Sequence, residues 1–168
     1  MTTLQGSWIW YELMTPDAAG ARAFYEAVAG WSMTPGTEAT AGYGFLTAPD
    51  GAMVGGTIEL SAEMIAGGAR PCWLGYLGVD DVDASVAAIV AAGGTLIMPA
   101  SDVPMAGRMA MVADPGGAPF YIMTPTAPPD GGSSTAFSAE ARTGHCGWNE
   151  LLAANAPREV AFYTGQFG

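Results

Sequence analysis

Apolar and polar positions alternate across residues 10–15, break at Thr15-Pro16-Asp17, and then recur with helical spacing up to the inward-facing pair Phe24-Tyr25. The pattern predicts a strand, a turn with Asp17 as helix N-cap, and a helix. The same order returns near the end of the chain, where WNELLAANAPREVAFY repeats WYELMTPDAAGARAFY without a gap. The alignment matches Trp10 with Trp148, Glu12 with Glu150, Leu13 with Leu151, Phe24-Tyr25 with Phe162-Tyr163, and Gly30 with Gly168. Asn155 takes the place of Asp17 as cap. An internal repeat of this kind takes priority over any element-by-element reading.

A weaker echo lies midway, with an alternating strand over residues 73–79, capping aspartates over 80–83, and a helix over 84–92 ended by Gly93-Gly94. Three strand-like stretches follow the first helix, near residues 31–33, 44–48 and 53–60, separated by Pro35 and Pro49-Asp50-Gly51. Three more follow the second helix, near 95–98, 108–113 and 119–124, with Asp114-Pro115-Gly116-Gly117 as a hairpin turn. The order is βαβββ, twice. Residues 1–125 are therefore expected to form one domain, with modules at 7–65 and 70–125. Residues 126–143, which include PPDGGSS, read as a linker. Residues 144–168 read as the first strand and helix of a second, truncated domain, whose apolar side chains lack a sheet to cover them.

Composition narrows the partners. Half of the 168 residues are apolar, enough for a core, and acids exceed bases sixteen to five for a formal charge of -11. That balance disfavours nucleic acid and anionic membrane surfaces. The longest apolar run, residues 86–98, is broken by glycines and is shorter than the roughly 20 residues of a membrane span. No secretory signal is visible at the N-terminus, so a cytoplasmic location is expected. Cys72 and Cys146 lie apart, without a CxxC or Cys/His cluster, and read as reduced structural residues. The single histidine, His145, has no Cys, Asp or Glu beside it in sequence with which to build a metal site or triad. The glycine pairs, Gly55-Gly56 among them, do not form a phosphate-binding loop.

With these elements in place the chain resembles the vicinal oxygen chelate superfamily of glyoxalase I, bleomycin-resistance proteins and extradiol dioxygenases. The carriers are Thr15-Pro16-Asp17, Ala23-Phe24-Tyr25 followed by Gly30-Trp31, Val79-Asp80-Asp81-Val82-Asp83, and Asp114-Pro115-Gly116-Gly117 before Phe120-Tyr121. The resemblance is nearest to a two-domain, glyoxalase-like subgroup. It implies an α+β fold in which paired βαβββ modules form an open, cup-shaped mixed sheet with helices outside and one ligand cleft.

Metal-dependent members place His, Gln or Glu on inward strand positions, where a divalent ion acts as a Lewis acid on substrate oxygens. Carried over residue by residue, the first such position is Trp10, the second Leu74, and the last Tyr121. The remaining one falls at Thr57 or Glu59. Three of the four are poor ligands, so no cofactor is expected, and a divalent metal is the minor alternative.

Strand alternation places Trp10 and Glu12 on one face, which the resemblance turns inward. Glu12 is the candidate catalytic residue, as general base or partner of a cationic ligand. The competing reading has it bonded to a tyrosine hydroxyl or backbone amide and purely structural. Trp10, Glu12, Tyr76, Arg108, Tyr121 and Met123 form the expected ligand-binding set, suited to a flat or apolar molecule. For Trp8, Trp73 and Phe120 an ordinary core role is the better reading. Arg108 suits a substrate carboxylate, although an exposed arginine is commoner, and Arg22, Arg142 and Arg158 read as solvated or linker positions. The leading expectation is a metal-independent small-molecule-binding protein. The alternatives are a lyase, isomerase or dioxygenase-like enzyme, and a protein-interaction module. Homodimerisation is compatible with each of them.

Overall fold

The computed structural model describes residues 4–126 and 132–168. Ala127–Gly131, part of the expected linker, lie outside the described residues. The chain divides into two compact units, one holding Trp10–Leu74 and Ser134–Asn149, the other Met1–Ile9, Gly75–Ser133 and Glu150–Gly168. These are called the first-module and second-module units below.

In the first-module unit, β1 (Trp8–Thr15) leads into α1 (Ala18–Ala29), followed by β2 (Ser32–Thr34), β3 (Gly44–Thr47) and β4 (Met53–Glu59). The last three run antiparallel in sequence, and β1 lies parallel to β4, giving the order β2-β3-β4-β1. The Asp17 carboxylate accepts the Gly20 amide at 2.8 Å, and Gly30 closes the helix in the left-handed region at φ 67°. Met33, Leu46, Ala48 and Val54 form the core of this unit, with Tyr11, Tyr25 and Trp31 packed against it.

The second-module unit repeats that connectivity. After α2 (Ala62–Ala66) in the first-module unit come β5 (Cys72–Gly78), α3 (Val82–Ala91), β6 (Thr95–Val103), β7 (Gly107–Ala113) and β8 (Pro119–Pro125). Strand order is β5-β8-β7-β6, with β5 parallel to β8 and antiparallel pairing across β8, β7 and β6. The α+β class and the twofold βαβββ order expected from sequence are therefore both present. The short α2 belongs to the first-module unit's residue range and was not expected.

The Asp114-Pro115-Gly116-Gly117 turn has a clear physical cause. Asp114 is buried, and its Oδ1 accepts amides from Gly116 at 2.8 Å and Ala118 at 2.9 Å. Gly117 takes φ 91°, a conformation that favours glycine. The carboxylate thus holds the hairpin from inside.

The final repeat folds only in part. Its helix α4 (Ala156–Phe167) forms with Asn155 as cap, and Phe162 enters the core of Leu77, Val79, Ile89, Val112 and Ile122. The strand expected at Trp148–Leu151 does not form, and Trp148 is 77% exposed. A strand is stable only against a partner ladder, and among the described residues this stretch has none. The expected inward Phe-Tyr pair of α1 is likewise corrected: Phe24 is exposed, and Tyr25 stacks on Trp31. Ala136 and Phe137 fall in the stretch 126–143 expected as linker, yet Ala136 is fully buried in the first-module core and Phe137 bridges Cys146. Among the described residues no helix is long and apolar enough to cross a membrane.

Candidate functional site

The parallel pairing of β1 with β4 sets Glu12 opposite Gly56. Glu12 is 1% exposed, although carboxylates are rarely buried so completely without partners. Its neighbour is set by the turn before β3. Ala41 and Gly42 both take positive φ, at 51° and 81°, and swing Tyr43 back toward β4. Thr40 Oγ1 then donates to the Tyr43 carbonyl at 2.7 Å, and Phe45 meets the ring edge-on at 5.4 Å.

The Tyr43 ring lies over Gly56, where a Cβ would stand 2.1 Å from the phenol oxygen, so any side chain there would have to displace it. The Trp10 indole N–H donates to that oxygen at 2.8 Å, and the Glu12 charge lies near enough to act on the hydroxyl. Burial first, and the Glu12 charge second, push the Tyr43 hydroxyl well above the ordinary phenol range. Burial, then Glu12, also push the Cys72 thiol up.

Of the expected ligand-binding residues, Trp10 and Glu12 thus both lie near the hydroxyl of Tyr43, a residue the sequence reading missed. In the second-module unit Tyr76 and Tyr121 pair across β5 and β8, with rings stacked at 4.3 Å and 18°. Both are buried, as is Met123. Arg108 is turned to acidic neighbours instead: its Nε and Nη2 donate to Asp83 at 2.7 and 2.9 Å, and Nη1 to Asp102 at 3.2 Å. These bonds hold the guanidinium firmly charged and lower the Asp83 carboxyl. Phe120 is core, whereas Trp73 is partly exposed and donates to the Tyr25 hydroxyl at 2.7 Å.

His145, set aside as a catalytic centre from sequence, has a buried imidazole. Nδ1 faces the Thr135 carbonyl, and Nε2 lies 3.1 Å from Asp50, which Arg142 also contacts. Arg142 and Arg158 are therefore paired, the latter with the buried Glu159.

Two βαβββ modules of matched connectivity define a paired-module α+β protein, with a buried carboxylate, Glu12, on the first strand. Residues 9–122 match the model of the Glyoxalase/Bleomycin resistance protein/Dioxygenase superfamily, and the chain belongs to that family. It is 32% identical over 174 residues to CFP32 of Mycobacterium tuberculosis, named as a glyoxylase, covering 98% of this chain and 60% of that protein. It is 30% identical over 174 residues to the anthracycline biosynthesis protein DnrV of Streptomyces peucetius, covering 97% and 61%. The chain thus spans about three-fifths of these curated relatives. Among solved structures, methylmalonyl-CoA epimerase from Mycobacterium tuberculosis matches with a TM-score of 0.52 at 17% identity, over 75% of this chain and 92% of that one. The epimerase from Streptomyces coelicolor, in complex with 2-nitronate-propionyl-CoA, gives 0.52 at 18%, over 73% and 99%. At these identities the likeness is one of fold.

Proposed function

We propose that the chain binds a flat, apolar or aromatic small molecule, with Glu12 as the polar anchor and without a divalent metal. The observation that carries this reading is the Glu12 carboxylate, buried on β1 opposite Gly56 and close to the Tyr43 hydroxyl. Taking a carboxylate out of water costs several kcal/mol unless it is compensated, so its retention points to use. The 30% identical relative named for anthracycline biosynthesis favours an aromatic ligand.

Metal chemistry of the family's kind does not fit the side chains present. The Trp10 indole has only an N–H donor, already given to Tyr43, and Leu74 has no ligating atom. Thr57 is a hydroxyl, Glu59 is exposed, and Tyr121 is stacked on Tyr76. Among the described residues no three His, Cys, Asp or Glu gather as a possible metal site. A second reading, a lyase or isomerase with Glu12 accepting a substrate proton, draws on the same carboxylate and on the relative named as a glyoxylase.

A thermal-shift screen of aromatic compounds against the chain and Glu12→Gln, with and without chelator, tests the proposal. Aromatic ligands should raise the melting temperature of the unaltered chain and do so less for Glu12→Gln. A chelator-induced fall in melting temperature would overturn the metal-free reading.

A further inference from the structure

We propose that Gly56 and Tyr43 set the ligand specificity of the first-module face: the bare strand at Gly56 lets the Tyr43 ring lie against β4, and Trp10, Tyr43 and Phe45 then form one aromatic wall that selects fused-ring ligands over single rings. The inference rests on the reading of the chain as a binder of flat aromatic molecules.

Strand pairing fixes which side chains share a face. Gly56 on β4 pairs with Phe45 on β3 and with Glu12 on β1, and residues paired across a ladder point to the same side. Trp10, two residues before Glu12, joins them. The opposite face carries Met33 and Leu46, and it is the face on which Tyr25 of α1 packs. That helix therefore leaves the Gly56 face open. There the Tyr43 ring occupies the place of a side chain at residue 56: a Cβ would lie 2.1 Å from its oxygen and 2.3 Å from its Cε1. Two contacts fix the ring sideways, the Trp10 indole N–H donating to its oxygen at 2.8 Å and Phe45 meeting it edge-on at 5.4 Å. All three aromatic side chains are half-buried, so part of each is accessible. From β1 to β3 the wall crosses two strand spacings, roughly 10 Å. That is longer than one six-membered ring and close to the length of a fused tricycle. Apolar burial and ring-on-ring attraction both grow with the area of overlap, so each added ring gains affinity. A side chain at residue 56 removes the middle of the wall.

Isothermal titration calorimetry with phenol, naphthol and hydroxyanthraquinone tests this, since the three probes differ in the number of fused rings. The unaltered chain should bind hydroxyanthraquinone most tightly and phenol least. Tyr43→Leu keeps an apolar side chain and removes the ring, whereas Gly56→Ala keeps the ring and displaces it. Each should lower the ratio of hydroxyanthraquinone to phenol affinity by about fivefold, and Tyr43→Phe, which retains the ring, should hold that ratio within about twofold. A purely structural role for Tyr43, as a cover for Gly56, would lower the melting temperature or weaken all three probes equally. An unchanged ratio in Tyr43→Leu and Gly56→Ala, with binding retained, would therefore overturn the proposal and leave the ligand reading standing. If none of the three probes binds the unaltered chain, the ligand reading itself fails and the wall has no such role.

Discussion

Phe24 and Phe162 hold the same place in two copies of one helix motif, yet Phe24 is 56% exposed and Phe162 only 5%. The difference arises because α4 packs on α3, and Phe162 inserts into the second-module core. Phe162→Ala should therefore cost about 3 kcal/mol in chemical denaturation, and Phe24→Ala under about 1 kcal/mol. Equal losses would show that helix identity, and not its surroundings, sets the contribution.

The Asp114 carboxylate carries two turn amides and the Tyr163 hydroxyl, at 3.2 Å. Asp114→Ala leaves these part-buried donors without their acceptor and should cost about 1–3 kcal/mol. Urea unfolding of the variant checks this. Tyr163→Phe, which removes only one donor, should lose less.

Asp50 links Ala52, Arg142 and His145. The Ala52 amide first, and then the Arg142 and His145 contacts, lower its carboxyl below the ordinary value of 3.8, against a smaller opposing effect of burial. A depressed folded value contributes stability above the unfolded value, and that stability disappears as pH falls through the folded one. The melting-temperature difference between the chain and Asp50→Asn should thus be present at pH 6 and shrink as pH falls below the ordinary value. A difference that does not change with pH would contradict the assignment.

Cys72 reports on Glu12 through its charge. Its thiol is held up by burial and then by the Glu12 charge. Removing that charge in Glu12→Gln should speed alkylation of Cys72 by about twofold at pH 8, through a larger thiolate fraction. Mass spectrometry of the Cys72 peptide reads the rate, and Cys146 provides the internal comparison.

Much of the fold was legible because its signals are local. Asp17, Asp81 and Asn155 cap helices through their own side chains, and all three do so here. Alternation correctly placed Trp10 and Glu12 on one face of β1. Three features depended on neighbours that periodicity does not encode. The strand at Trp148 needs a partner, Phe24 needs a covering helix, and Tyr43 reaches Glu12 only through a turn of two positive-φ residues. One signal for the last was available. Gly55-Gly56 inside a strand weakens it unless something approaches closely, and that something is the Tyr43 ring.

The clasp at His145 has a practical consequence. Its two ring nitrogens face the Thr135 carbonyl and the Asp50 carboxylate, and the chain contains one histidine. Its imidazole resonances therefore arise from a single site, without overlap from any other ring. They give a built-in spectroscopic reporter for residues 134–149, one that would register their release from the Pro49-Asp50 turn without any added label.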